Sequence, residues 1–386
     1  DASRAPSTTG SRGSSTPGCE WRGSSPRAAG SRGLAASADV TLGGTIVPTA
    51  PGGGGSVSTL NVTDLQNQLN LSDVIVRTVG SPDTGGTGAI TIAADIVIPD
   101  PAGPDTRTLT LHAAGAIVQN AATSITVAGG GSARLVMQSG QGTGGAGGIS
   151  LAGTIALGAS GLLDLDATGG GTGAGGAIAQ TAGSIAAAEL RARAAGGVSI
   201  TAAAVGTVAG SAGGAFSLAG TSAFTVGTVA GTTGITTTNQ TITLAAPGTL
   251  TLDQAVYAGT GTVSLSAGAG AFLTVNEPVT ADAVNVVADR IAVNAALGGA
   301  GADAIDIATA SAARPILIGT GSQLNNPGAD TTALAVTQGE FGRLGAADAT
   351  VRLRTTTGTV TISGGGGPGA GLDLGTRTLM LATGNT

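Results

Sequence analysis

The stretch that decides the fold runs from Gly88 to Val127, where Ile90-Thr91-Ile92, Leu109-Thr110-Leu111 and Ile125-Thr126-Val127 repeat one form: an aliphatic residue at i and i+2 with threonine between. Successive side chains of a strand point to opposite faces, so this alternation describes strands with one face buried and one face wet. The same form continues through Leu163-Asp164-Leu165, Val198-Ser199-Ile200, Ile242-Thr243-Leu244, Val263-Ser264-Leu265, Val284-Asn285-Val286, Ile305-Asp306-Ile307, Ile316-Leu317-Ile318 and Leu379-Met380-Leu381. Each strand ends at Gly, Ala, Asn or Asp.

Aliphatic pairs recurring every 7 to 16 residues or so fit either an antiparallel sandwich or a solenoid with two or three strands per coil. The strands are too short and too numerous for one sandwich. The 386 residues hold only one Trp, one Tyr and four Phe, whereas sandwiches commonly fill their core with aromatics. Asn-Gly and Asp-Gly, the strongest short signals of an antiparallel hairpin, do not occur. These points predict an all-β chain folded as a right-handed parallel β-helix. At roughly 20 to 25 residues per coil and about 4.8 Å between strands, it would have around 14 coils and measure roughly 65 Å.

Composition agrees with a thin core. There are 70 glycines, far above the usual share of about 7%. The glycine-rich stretches 140–148, 169–176 and 364–371 read as mobile turns that leave the coil. Residues 1–58 differ from the rest: Ser, Gly, Pro and Arg dominate, large aliphatics are scarce, and the stretch reads as a disordered arm and linker. Ala36-Ser37-Ala38 resembles a cleavage site but no apolar stretch of signal-peptide length precedes it. The β-helix is then expected over residues 59–386. It opens on a short capping helix near 63–69, where Thr63 caps the first turn and Gln66 reaches back to it.

The function classes that composition disfavours are several. Sixteen arginines, with no lysine, face 22 carboxylates for a net charge of −6, which argues against nucleic acid as a partner. No apolar run is long enough for a membrane-spanning helix. The single cysteine, Cys19, rules out an intrachain disulfide.

The runs Val62 to Gln66 with Val74 to Thr78, Gly88 to Ile96, and Thr108 to Ile117 resemble the body repeats of filamentous haemagglutinin-type exoproteins. That resemblance implies a secreted bacterial β-helix exported through an outer-membrane transporter by two-partner secretion, extracellular or on the cell surface, acting as an adhesin or as the carrier of a terminal toxin. A host or neighbouring-cell receptor or glycan would be its partner. It implies no active-site residues, and the family's N-terminal secretion domain with its Asn-Pro-Asn motifs is not in the chain.

Several positions can carry chemistry in principle. Gly298 to Asp306 matches one calcium nonapeptide, with Asp303 as the acidic position, but the following residues do not repeat it. Asp164 and Asp166 stand roughly 7 Å apart on one strand face, a spacing open to a glycan-cleaving pair, but with no Trp or Tyr near them in sequence to grip a sugar they read as two solvated charges. Arg191 with Arg193, and Arg352 with Arg354, share that spacing and are expected to face solvent or pair with acids on a neighbouring coil, although a small anion site also fits. His112, the only histidine, reads as an exposed strand residue. Asn61, Asn70 and Asn239 begin glycosylation-type triplets at chance frequency. No catalytic, cofactor-binding or metal-binding residue is assigned and no cofactor is expected. The leading expectation is a non-enzymatic display rod. The alternatives are a polysaccharide-binding or polysaccharide-cleaving β-helix, and an ice-binding surface built on Thr236 to Thr238 and Thr355 to Thr361. The outward residues of stacked strands discriminate among them.

Overall fold

A computed structural model describes residues 58–78, 87–100, 106–142, 147–169, 175–299, 304–319, 332–363 and 372–384, together with the backbone of three earlier strands at 20–22, 32–36 and 40–43. The chain winds as a parallel β-helix with three strands per coil, each strand hydrogen-bonded to its counterpart one coil away. The first sheet stacks Arg32–Ala36, Val74–Thr78, Arg107–His112, Ala133–Gln138, Leu162–Ala167, 189–194 and 207–212. It continues through Ile235–Thr237, Val256–Tyr257, Val279–Thr280 and Leu297–Gly298. The second sheet has 13 parallel strands from Val40–Gly43 to Thr378–Thr383, and the third begins at Ile96–Ile98 and reaches Arg290–Val293. Thirteen rungs put the second sheet at about 58 Å, near the expected length.

Inward residues form continuous apolar columns because parallel register places the same face of every strand inside. In the second sheet Ile90, Ile117, Ile149, Ile178, Val198, Phe216, Ile242, Val263, Val284, Ile305 and Val351 are stacked and buried. Each such side chain contributes about 1.5–3 kcal/mol by leaving water, and only its neighbours above and below support it.

Coil length varies more than expected. Stacked partners are 35 residues apart at Thr108 and Asp73, 27 at Arg191 and Asp164, 18 at Asn294 and Asn276, and 46 at Arg352 and Asp306. The short coils turn their corners on Ala and Gly. Val198–Ala212 is one unbroken strand that serves all three sheets in turn. At its bend a Cβ on Gly206 would lie 2.9 Å from the Ala188 carbonyl oxygen.

Four local expectations change. Strands Arg32–Ala36 and Val40–Gly43 fall within the stretch assigned to the disordered arm, yet pair with Val74–Thr78 and Ile90–Ile92; Val40-Thr41-Leu42 carries the same alternation as the body. Of the rest of residues 1–57 only the backbone of Glu20–Arg22 is described, paired antiparallel with Arg32–Ala36; the others, with Cys19, lie outside the described residues. The helix spans Val62–Leu69 and its cap is Asn61, whose side chain accepts from Thr63 N at 2.7 Å; the helix begins one residue before Thr63, which places Asn61 at the cap. Gly147 and Gly175 open strands instead of turns, since glycines stacked at this corner let the coils approach: a Cβ on Gly176 would meet the Gly147 carbonyl oxygen at 2.1 Å. The turn residues 143–146, 170–174 and 364–371 lie outside the described residues. Finally, an antiparallel hairpin does occur, Thr228–Val229 with Thr232–Thr233. Its tip is Ala230-Gly231, both at positive φ (47° and 79°), the backbone of a type I′ turn made without Asn or Asp.

The third sheet ends on side chains. Gln338–Phe341 is a short helix capped by Thr337 and Glu340. Glu340 Oε1 also accepts from Val293 N at 3.0 Å, and Arg343 Nη1 donates to Val293 O at 2.7 Å. These two side chains take the place of the next strand at Val293.

Candidate functional site

The outward residues of the second and third sheets are mostly small and neutral. Ser199, Ser217, Thr243, Ser264 and Asn285 form one column of the second sheet. It turns charged only at Asp306, whose carboxylate is taken by Arg352 and, at 2.9 Å, by Arg354. On the third sheet Thr225, Thr251 and Thr274 stack. Beside them Asn276 Nδ2 donates to Asp253 Oδ1 at 2.7 Å and Asn294 Nδ2 to Asn276 Oδ1 at 2.8 Å, forming a short amide ladder at the corner.

Charge gathers on the first sheet. One outward column reads Arg77, His112, Gln138, Asp166, Arg193, Ser211 and the next Ile75, Thr110, Val136, Asp164, Arg191, Ala209. Asp164 and Asp166 therefore face outward as their alternation requires, but they are not solvated: their exposure is 4% and 5%. Arg191, directly above Asp164, grips it bidentately at 2.7 and 2.6 Å. Arg193 meets Asp166 at 2.5 Å, and Thr168 adds its backbone N–H at 3.0 Å and hydroxyl at 2.6 Å. Burial alone would raise the Asp166 pKa; the hydrogen bonds from Thr168 and Arg193, with the charge of Arg193, outweigh it and hold the carboxyl below its usual range. Both acids are therefore occupied as ion-pair partners. A nucleophile needs a free oxygen, and both oxygens of each carboxylate are taken; a general acid needs a raised pKa, and that of Asp166 is lowered.

The hairpin completes the cover. It folds from the corner across the first sheet, where Val229 packs on Leu162 and Ala209 in a separate small apolar cluster and Ala230 O accepts from Arg191 Nη1 at 3.1 Å. Deleting the Val229 methyls is expected to loosen this strap without unfolding the coils. Val229→Ala should cost about 1–2 kcal/mol, and hydrogen exchange should speed up at Thr228 to Thr233 while Leu190 and Val208 stay protected.

His112 is outward and half-buried, between Arg77 and Gln138. Burial first, then the Arg77 charge, lower its pKa, with a backbone hydrogen bond opposing them. Its Nδ1 is buried and meets no hydrogen-bond partner, so among the described residues no Ser or Asp forms a relay with it.

The remaining candidates dissolve on inspection of their neighbours. Asp306 of the nonapeptide is held by arginine, residues 300–303 lie outside the described residues and Asp303 with them, and no group of three His, Cys, Asp or Glu converges among the described residues. Thr237 and Thr355 are buried and bond backbone carbonyls, at Gln240 and at Ala312 and Arg314, so neither threonine run builds a flat outward array. Asn61 is a helix cap, Asn70 follows the helix, and Asn239 sits in a turn at φ 56° with Thr260 N on its side chain.

Sequence reading passed over several polar anchors. Asp289 lies at a corner with 1% exposure, and its carboxylate accepts from Gly270 N of one neighbouring coil at 2.8 Å and from the N–H, at 2.7 Å, and hydroxyl of Ser311 of the other. Gln180 occupies an inward position in line with Leu151 and Ile200, but its amide bonds Gly183 O, Ala202 O and the backbone N–H groups of Thr201 and Ala202. The usable signal was an apolar column interrupted by buried polar residues, as Gln119 and Gln180 interrupt the column of Ile92 and Leu151.

The fold and this surface define a parallel β-helix whose outward acids Asp164 and Asp166 are neutralised by arginines of the next rung. No protein-family model, curated protein or solved structure matches the chain.

Proposed function

We propose that the chain is a non-catalytic, secreted or cell-surface β-helical rod that mediates attachment through its outward surface, of the kind the haemagglutinin-type repeats imply. The observation that carries this reading is the state of Asp164 and Asp166, the outward carboxylate pair with catalytic spacing among the described residues, closed off by Arg191, Arg193, Thr168 and the strap. Small neutral residues over the other two sheets support a display surface. Export through an outer-membrane transporter, and a receptor or glycan on another cell, belong to the same reading.

The test uses the purified full chain in two assays. Coated beads should adhere to cells while soluble chain competes, and a panel of polysaccharides incubated with the chain should release no reducing ends. Glycan cleavage that is lost in Asp164→Asn would replace this reading with the polysaccharide-cleaving one. Beads that adhere no better than uncoated beads would remove the attachment role.

A further inference from the structure

The three rungs of the first sheet that follow Arg32–Ala36 differ from the neutralised rungs beyond them. Val74–Thr78, Arg107–His112 and Ala133–Gln138 turn Arg77, His112, Gln138, Thr110, Val136 and Arg134 outward. Neither Arg77 nor Arg134 makes an ion pair among the described residues, and both are exposed. The carboxylate at the edge of these rungs, Asp73, accepts from Thr108 N at 2.9 Å. The acids of the very next rung, Asp164 and Asp166, are already held by Arg191 and Arg193. In a chain of net charge −6 these rungs thus present two exposed guanidiniums, Arg77 and Arg134, that no carboxylate grips among the described residues.

We propose that this patch binds a carboxylated polysaccharide, a polyuronate, lying across the rungs with Arg77 and Arg134 on its carboxylates and His112, Gln138 and Thr110 beside its hydroxyls. A guanidinium matches a carboxylate bidentately. Arg77 and Arg134 lie two rungs and four strand positions apart, roughly 16 Å by rung and residue spacing, about the span of three sugars in an extended chain, so one polymer can reach both. Two cations set diagonally over an open sheet suit a long ligand with spaced single charges better than a compact multiply charged one. His112, kept neutral near pH 7 by burial and Arg77, adds a polar ring to the column without a further charge. A nucleic acid would need a denser run of cations than these rungs present.

The proposal rests on the attachment reading and names its ligand. The full chain is passed over immobilised polygalacturonate, its fully methyl-esterified neutral form, and single-stranded DNA. Wild type should bind the polyuronate, release with salt and ignore the ester. The double variant Arg77→Gln/Arg134→Gln should bind at least tenfold more weakly with unchanged circular dichroism. Arg354→Gln, which alters net charge on another sheet, should bind as wild type does. Wild type that passes through, a double variant retained equally, or DNA held as tightly through the same two arginines would overturn the site. Bead attachment to cells, measured separately, decides the broader reading independently of this result.

Discussion

Asp289→Ala is expected to destabilise the rod more than most deletions of an apolar core side chain. The carboxylate is buried and serves donors from two other coils, Gly270 N, Ser311 N and Ser311 Oγ. Hydrogen bonds to a charged group are worth about 1.5–3 kcal/mol each, and donors left buried without a partner add their desolvation cost. The sum of such effects in one site is not additive, so a loss of about 3–5 kcal/mol is expected, read as a lowered urea midpoint. Asp289→Asn keeps the size but offers one acceptor oxygen for donors on two sides, and should fall between. The same geometry predicts acid lability. Burial by itself would raise the Asp289 pKa; the Ser311 hydroxyl and N–H, Gly270 N–H and the Arg314 charge overcome that and lower it. A carboxyl with a depressed folded pKa contributes its full stabilisation above its unfolded value of about 3.9 and loses it as pH falls through the folded value. Melting followed from pH 6 down to pH 2 should therefore show a decline below about pH 4 that is shallower in Asp289→Ala. A variant with wild-type midpoint and wild-type acid profile would mean that Asp289 does not hold these coils.

How much of this was legible beforehand differs by level. The i, i+2 aliphatic pairs read directly as stacked rungs because parallel register preserves which face of a strand is inside; Ile242, Val263 and Val284 are successive members of one column. Coil length was not legible, since corners can be cut to an Ala or Gly bend, as at Gly206, or extended by excursions, as between Asp306 and Arg352, without disturbing the rungs. Asp164 was correctly placed outward and wrongly left in water. Outward does not mean exposed when the next rung supplies an arginine in register and a corner hairpin crosses above, and that register depends on a coil of 27 residues that no local pattern announces. The hairpin itself was hidden because Ala230 adopts the positive φ usually left to Asn, Asp or Gly. Gln180 and Asp289 escaped for a related reason: their partners lie one coil away, at Ala202 and at Gly270 and Ser311, and are not neighbours in sequence.

That dependence on register makes the ion pairs of the first sheet the sharpest test of the fold. Asp164→Ala leaves Arg191 nearly buried under the strap with only the Ala230 carbonyl to receive it, and should cost about 3–5 kcal/mol, the usual penalty for orphaning one partner of a buried pair. Arg191→Met orphans Asp164 in the same way and should cost a similar amount. The double variant Asp164→Ala/Arg191→Met removes both charges, so no buried ion remains, and the Met side chain can lie on Leu162 and Val229. It should be more stable than either single variant, with a coupling energy of about 2 kcal/mol or more across the cycle. The neighbouring pair behaves differently because Arg193 is more exposed than Arg191 and Asp166 keeps its two bonds from Thr168. Removing Arg193 should therefore cost clearly less than removing Arg191. Costs that add in the first cycle would show that Asp164 and Arg191 do not meet in solution, and with that the register tying their two coils would fail.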